Sequence, residues 1–302
     1  MENPVNRFKH AIAENRLQIG LWSQLVSTIA VEVLADAGYD FVVVDVEHAP
    51  NDLGTVMPML QILDRSPASA IVRVPWRDMV LFKRYLDIGA QTLLIPFVET
   101  PEQAAEAVAF SRYPPAGVRG VAGCHRANRF GRVSNYLDKA ASEICLIVQI
   151  ETRLGLQNLE AIAAIDGVDA VFIGPADLSA SFGHLGNPGH PEVEEAIAAV
   201  PKRLTASGKP GGILAPVEAT ARRHLEQGFA FVAVGNDLSL LATHSAAVAK
   251  LYEDLRGPAA PSRSARPSVH HRAPAIAICT CTGPRISTRS PLPHRFPCRT
   301  KA

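Results

Sequence analysis

The chain predicts a (β/α)8 barrel, an α/β fold built on a closed parallel sheet, followed by a segment that does not join it. Three observations carry this expectation. Eight short apolar runs rich in Val, Ile and Phe recur along the chain, helical patterns separate them, and the composition changes abruptly at residue 257.

The runs are, in order, QIGLW (18–22), FVVVD (41–45), AIVRV (70–74), TLLIPF (92–97), CLIVQIE (145–151), AVFIG (170–174), GGILA (211–215) and FVAVG (231–235). Near-continuous apolar character suits strands covered on both faces, as in a parallel sheet. Between the runs, apolar residues recur at spacings of three and four. TIAVEVLADAG ends at a glycine suited to a helix C-terminus, PEQAAEAVAFSR has Pro101 placed for a first turn, and PVEATARRHLEQG repeats the Pro start and Gly stop. LSLLATHSAAVAKLYEDL (238–255) reads as an eighth helix that completes the barrel. An open doubly wound sheet is the alternative, but it rarely needs eight such units.

Of the 302 residues, 47% are hydrophobic, 20% charged and 6% aromatic, a balance that supports one large core. No apolar run approaches the ~18 residues of a membrane span. The N-terminus lacks the uninterrupted apolar stretch of a signal peptide. A cytoplasmic protein is expected. The five cysteines show no framework spacing, so disulfides are not expected. Residues 257–302 carry eight Lys/Arg, eight Pro and no Asp or Glu, leaving 22 basic against 29 acidic residues in 1–256. The division is therefore a barrel domain over 1–256 and a basic, Pro/Ser/Arg-rich tail over 257–302, which is expected to be disordered. The His270–His271 pair and Cys279/Cys281 fall in that tail and read as compositional accident. The acidic body offers no clustered basic face for nucleic acid.

If the runs are barrel strands, their C-terminal ends share one mouth, and the ionisable residues gather there. The second strand delivers Asp45, Glu47 and His48, the third Arg73, the fifth Gln149 and Glu151, and GPADLS after the sixth delivers Asp177. Gln149 and Glu151 are two apart and point to one side, with Ile150 turned to the helices. Glu151 and Asp177 on adjacent strands supply the oxygen ligands that Mg²⁺ or Mn²⁺ takes, with positions left open for substrate. The alternatives are an N-cap role for Asp177 and a salt bridge from Glu151 to Arg153. His48 suits a structural histidine served by its neighbours Glu47 and Asp45, or a general base, which Asp87 in KRYLDIG could orient if its helix packs beside the loop. Arg73 suits a carboxylate or a developing enolate oxygen, and an ion pair that plugs the barrel equally well. A Schiff-base enzyme needs a desolvated lysine at a strand. The seven lysines, at 9, 83, 139, 202, 209, 250 and 301, fall in helices, loops or the tail, so imine chemistry is not expected and metal–enolate chemistry fits.

VDVEHAPND, VRVPW, LDIGAQTLLIPFVET, RYPPAGVRGV, VQIET and GVDAVFIGPADLSASFGHLGNPGHPEV resemble the HpcH/HpaI family of metal-dependent (class II) pyruvate aldolases, from about residue 5 to 255. The resemblance implies a hexameric lyase with a (β/α)8 barrel whose eighth helix is exchanged between subunits. It implies Mg²⁺, with Mn²⁺ or Co²⁺ as substitutes, held by Glu151 and Asp177. His48 is the implied base with Asp87 behind it, and Arg73 the implied enolate stabiliser. Gln149, Asp177 and the backbone at Gly174 and Ala176 map to contacts with the pyruvyl group. Val46 stands where the family commonly has glycine.

The implied reaction is retro-aldol cleavage of a 4-hydroxy-2-oxo acid to pyruvate and an aldehyde. The loop GCHRANRFGRVSNYL (123–137), with FGHLGNPGHPEV, GKPGGILAPVEATARRHLEQG and VAVGNDL, is similar to the branch acting on 2-dehydro-3-deoxyglucarate (5-dehydro-4-deoxy-D-glucarate), which yields tartronate semialdehyde. Branches acting on 4-hydroxy-2-oxoheptane-1,7-dioate or a rhamnonate-type acid are the alternatives. In that loop His125, Arg126, Asn128 and Arg129 could meet the aldehyde's carboxylate, a neighbour's site included, or form a subunit interface. Two rivals stand further off. One is a phosphate-binding barrel using GKPGGILAP and AVGNDLS, and the other is a non-catalytic, ligand-sensing barrel.

Overall fold

The strands occupy Gln18–Ser23 (β1), Phe41–Asp45 (β2), Ser69–Arg73 (β3), Thr92–Ile95 (β4), Cys145–Ile150 (β5), Ala170–Ile173 (β6), Gly211–Leu214 (β7) and Phe231–Asn236 (β8) in the computed structural model. The structure describes residues 1–255, so the tail 257–302 with its His and Cys pairs lies outside the described residues. Each strand pairs in parallel with the next, and β8 pairs with β1, closing an eight-stranded barrel. Met1–Tyr252 forms one unit.

Alternation sorts the apolar residues into two cores. Val43, Ile71, Leu94, Ile147 and Phe172 face the barrel interior, whereas Val42, Val44, Val72, Leu93, Leu146 and Val148 meet the surrounding helices. Both sets are buried, which is why the strands read as unbroken apolar runs. The N-terminal end of the barrel is closed by aromatic rings. Phe8, on the helix Arg7–Ala13, stands 5.4 Å from both Phe41 and Phe231. Those two rings occupy the space that a Cβ on Gly20 or Gly212 would need, so each glycine makes room for a phenylalanine of the adjacent strand.

Capping follows the sequence closely. Thr100 caps the helix Pro101–Ser111, which opens on Pro101, and Asp52 with Thr55 forms a reciprocal box on Leu53–Leu63. Pro216, expected to open a helix, instead precedes it, since the helix is Glu218–Glu226 with Val217 as N-cap. A larger departure concerns the eighth helix. Asp237–Lys250 forms, but beyond the buried Asp237 its residues are exposed, including Leu240, Leu241 and Val248. Within one chain this helix does not complete the barrel. No helix among the described residues is long and apolar enough to cross a membrane.

Candidate active site

The polar residues expected at the strand ends do converge, and the register explains how. Asp45 and Arg73 are direct partners across β2 and β3, both turned into the barrel above Val43 and Ile71. Asp45, wholly buried, accepts Arg73 Nε at 2.9 Å on Oδ1 and Arg73 Nη2 at 2.6 Å on Oδ2. The third guanidinium nitrogen, Nη1, lies 2.8 Å from a Glu47 carboxylate oxygen. Arg73 also stacks over Trp22, 4.2 Å from the ring centroid. Burial pushes the Asp45 carboxyl up, but the Arg73 bonds and charge, the Gln24 amide and the His48 backbone N–H outweigh it and hold the pKa below the usual range. Glu47 goes the other way. Burial raises it, Arg73 and His48 only partly compensate, and the charges of Asp45 and Asp177 push it further up.

Asp45 also builds the loop that presents His48. Its Oδ1 accepts the backbone N–H of Glu47 at 3.0 Å and of His48 at 3.2 Å, while its carbonyl accepts Asn51 Nδ2 at 2.8 Å. This turn forms with Val46 in place. His48 is exposed and lines, with Arg73, Gln149, Gly174, Ala176 and Asp177, a cleft of about 380 Å³ at the mouth.

Across the cleft, Gln149 Nε2 donates to Glu151 Oε2, and the backbone N–H of Phe97 donates to Oε1 at 2.7 Å. Ile150 between them packs among the helices, as the alternation requires. Glu151 is 2% exposed. Burial, with the charges of Glu47 and Asp177 added and the Phe97 and Gln149 bonds opposing, pushes its carboxyl up to about 7. Gly174 leaves the space beside it open, because a Cβ there would lie 2.6 Å from Glu151 Oε2 and 2.8 Å from Gln149 Nε2. Asp177 sits in the first turn of the helix Pro175–Ser181, whose N-cap is Gly174, so it is not the cap. Nor does Glu151 pair with Arg153, which binds Glu192 at 3.1 Å. Four carboxylates, Asp45, Glu47, Glu151 and Asp177, two of them buried, thus share one region with a single guanidinium, Arg73. Gln149 Oε1 and Trp22 Nε1 are buried there without a partner among the described residues. An all-oxygen donor set with excess negative charge fits a hard divalent cation.

Asp87 departs from expectation. It ends the helix Met79–Asp87, which runs back from the mouth, and so lies near the N-terminal ends of the strands. There it binds Arg119 Nη2 at 2.7 Å, and its carbonyl accepts the N–H of Ala127. The structure does not bring Asp87 to His48 of the same chain. The 123–137 loop lies at this same end. Arg126 bonds Asp64 and the carbonyl of Ile88, and Asn128 holds the loop together through His125 N, Gly131 N and Gly123 O. Lys209 donates to Val168 O at 2.6 Å, also away from the mouth.

Residues 18–244 match the HpcH/HpaI aldolase/citrate lyase family. The chain belongs to the HpcH/HpaI family. It is 55% identical over 235 residues to a protein named 5-keto-4-deoxy-D-glucarate aldolase from Enterobacter sp. (strain 638), covering 78% of this chain and 92% of that one. A protein of the same name from Escherichia fergusonii is 54% identical over 245 residues, covering 80% and 96%. Among solved structures, an HpcH/HpaI aldolase/citrate lyase family protein from Burkholderia cenocepacia J2315 superposes with a TM-score of 0.79 at 43% identity, covering 82% of this chain and 99% of that one. An HpcH/HpaI barrel of this kind is an aldolase scaffold, hence a lyase.

Sequence reasoning places Asp45 and Glu47 at the mouth only as acceptors for His48, not as the partners of Arg73. Trp22 and Gln24 were missed altogether. Trp22 was hidden because an apolar residue ending an apolar run carries no sign of its role.

Proposed function

We propose that the cleft carries out metal-dependent retro-aldol cleavage of 5-dehydro-4-deoxy-D-glucarate to pyruvate and tartronate semialdehyde. The observation that carries this reading is the pairing of a fixed guanidinium, Arg73, with a carboxylate cluster across a cleft lined, among the described residues, by no lysine. Glu151 and Asp177 would hold Mg²⁺, or Mn²⁺ or Co²⁺ in its place. When bound, such an ion supplies a Lewis acid to the carboxylate and keto oxygens of the 2-oxo acid.

The chain's own groups do the rest. Gln149 and the backbone at Gly174 and Ala176 seat the pyruvyl end. His48 takes the proton of the 4-hydroxyl, the C3–C4 bond breaks to release the aldehyde, and its electron pair leaves C2–C3 as an enolate. Arg73, held rigid by Asp45, offers its charge to the enolate oxygen. Return of the proton to C3 completes pyruvate.

Asp87 cannot serve its own His48 from the opposite end of the barrel. In the homo-hexamer we favour, it would serve the His48 of another copy. The exposed apolar residues of Asp237–Lys250 support exchange of that helix between subunits. Arg126 would likewise act on an aldehyde's carboxylate only in a neighbour's site, after leaving Asp64. We place the enzyme in the cytoplasm.

Pyruvate release from a panel of 2-oxo acids, followed through lactate dehydrogenase, tests the substrate. The glucarate derivative should give the highest kcat/KM, ahead of 4-hydroxy-2-oxoheptane-1,7-dioate and the rhamnonate-type acid. A preference of about tenfold for the heptanedioate would move the chain to that branch while leaving the aldolase reading intact. No pyruvate from any of them would favour a ligand-sensing barrel.

A further inference from the structure

The loop after β1 holds an arrangement that the reaction as described does not use. Gln24 Nε2 donates to Asp45 Oδ2 at 2.9 Å, on the same oxygen that accepts Arg73 Nη2. Oδ1 is occupied by Arg73 Nε and the N–H groups of Glu47 and His48. Gln24 is therefore the only donor besides Arg73 on the second oxygen, among the described residues. Without it, that end of the buried carboxylate would rest on Arg73 alone.

Gln24 is itself fastened. Asp237, 5% exposed and the first residue of the helix Asp237–Lys250, accepts the N–H of Gln24 at 2.7 Å, the N–H of Leu25 at 3.3 Å and the hydroxyl of Ser23 at 3.1 Å. Two residues on, Val26 has φ 52°, a left-handed backbone that a β-branched side chain rarely adopts. Such a conformation costs of order 1–3 kcal/mol and persists only where its surroundings impose it. The Asp237 carboxylate, gripping three consecutive residues just before Val26, imposes it here.

We infer that Gln24, fastened by Asp237, is a positioning residue that sets the Asp45–Arg73 pair for catalysis. A loop shaped only for packing would not require a buried carboxylate to hold its backbone, nor aim its amide at the one oxygen of Asp45 shared with Arg73. The chain of contacts also ties the first residue of a largely exposed helix to the guanidinium in the cleft. The inference rests on the aldolase reading, in which Arg73 faces the enolate.

The test is a double-mutant cycle in the metal-loaded enzyme, read by pyruvate release. Gln24→Met keeps the side-chain volume and removes the donor. A hydrogen bond of this kind corresponds to about a threefold to tenfold loss, expected in kcat with KM changed by less than about twofold and melting temperature held. In an Arg73→Lys background the same substitution should change kcat by less than about twofold, because its effect passes through Arg73. Asp237→Asn should lower kcat as well and add little to Gln24→Met. Unchanged kcat in Gln24→Met, or an equal loss in both backgrounds, overturns the inference. An additive Asp237→Asn loss removes Asp237 from it. If the wild type releases no pyruvate, the aldolase reading fails and takes this inference with it; normal wild-type turnover with an indifferent Gln24 overturns this inference alone.

Discussion

Asp45 grips Arg73 side-on, through Nε at 2.9 Å and Nη2 at 2.6 Å, in a pocket where Asp45 has no solvent exposure and the Arg73 side chain 8%. Removing the Asp45 charge leaves Arg73 buried with Glu47 as its remaining ion-pair partner. Asp45→Asn should therefore cost about 3–5 kcal/mol in denaturant unfolding and lower kcat at the same time. The variant would also loosen the turn that presents His48. A loss below about 1 kcal/mol would show that the existing Glu47 pair is enough to hold Arg73.

The carboxylate cluster gives a second expectation. Glu151→Ala and Asp177→Ala should fold, keep a melting temperature close to the wild type, and lose both Mn²⁺ binding by calorimetry and pyruvate release. Retained Mn²⁺ affinity in both variants would move the metal site elsewhere in the molecule.

Much of this was legible in the sequence because the barrel's periodicity is strict. Alternation placed Gln149 and Glu151 on one side with Ile150 turned away, and strand ends placed Arg73 and Asp177 at the same mouth. What escaped was of two kinds. Asp87 sits one helix after Arg73 in sequence, but that helix reverses direction and carries it to the opposite end, where Arg119 claims it. The helix Asp237–Lys250 has the composition of a packed element, yet nothing in a single sequence says whether its own barrel receives it. Gln24 escaped because one amide in a polar loop carries no pattern. Its role exists only through Asp45 and Asp237, 21 and 213 residues away.

Proton linkage supplies a third expectation. With its pKa pushed up to about 7 from 4.5, Glu151 in the folded, metal-free protein holds a proton that the unfolded chain gives up. Stability from this group is therefore lost as pH rises through that window. A cation on Glu151 must displace the same proton. Mg²⁺ or Mn²⁺ affinity should rise between pH 6 and 8 with proton release, and the metal-free Glu151→Gln variant should melt higher than the metal-free wild type at pH 8. Calorimetry in two buffers of different ionisation enthalpy measures both the affinity and the protons. Equal affinity at the two pH values, with no proton released, would contradict this.

His48 gives a fourth. His48→Ala should still bind pyruvate, because the groups that seat the pyruvyl end are untouched, while the cleavage rate falls by roughly 10²–10⁴. Near-normal turnover would remove His48 from proton transfer and leave a water or Glu47 to do that work.

The central claim is that Glu151 and Asp177 would hold a divalent ion whose Lewis acidity, with Arg73, would support the cleavage, and pyruvate release in excess EDTA tests it most directly. The expected result is loss of turnover in the chelator, recovery on adding Mg²⁺ or Mn²⁺, and no borohydride-trapped adduct with substrate. Full turnover in EDTA, or a trapped imine, would contradict it.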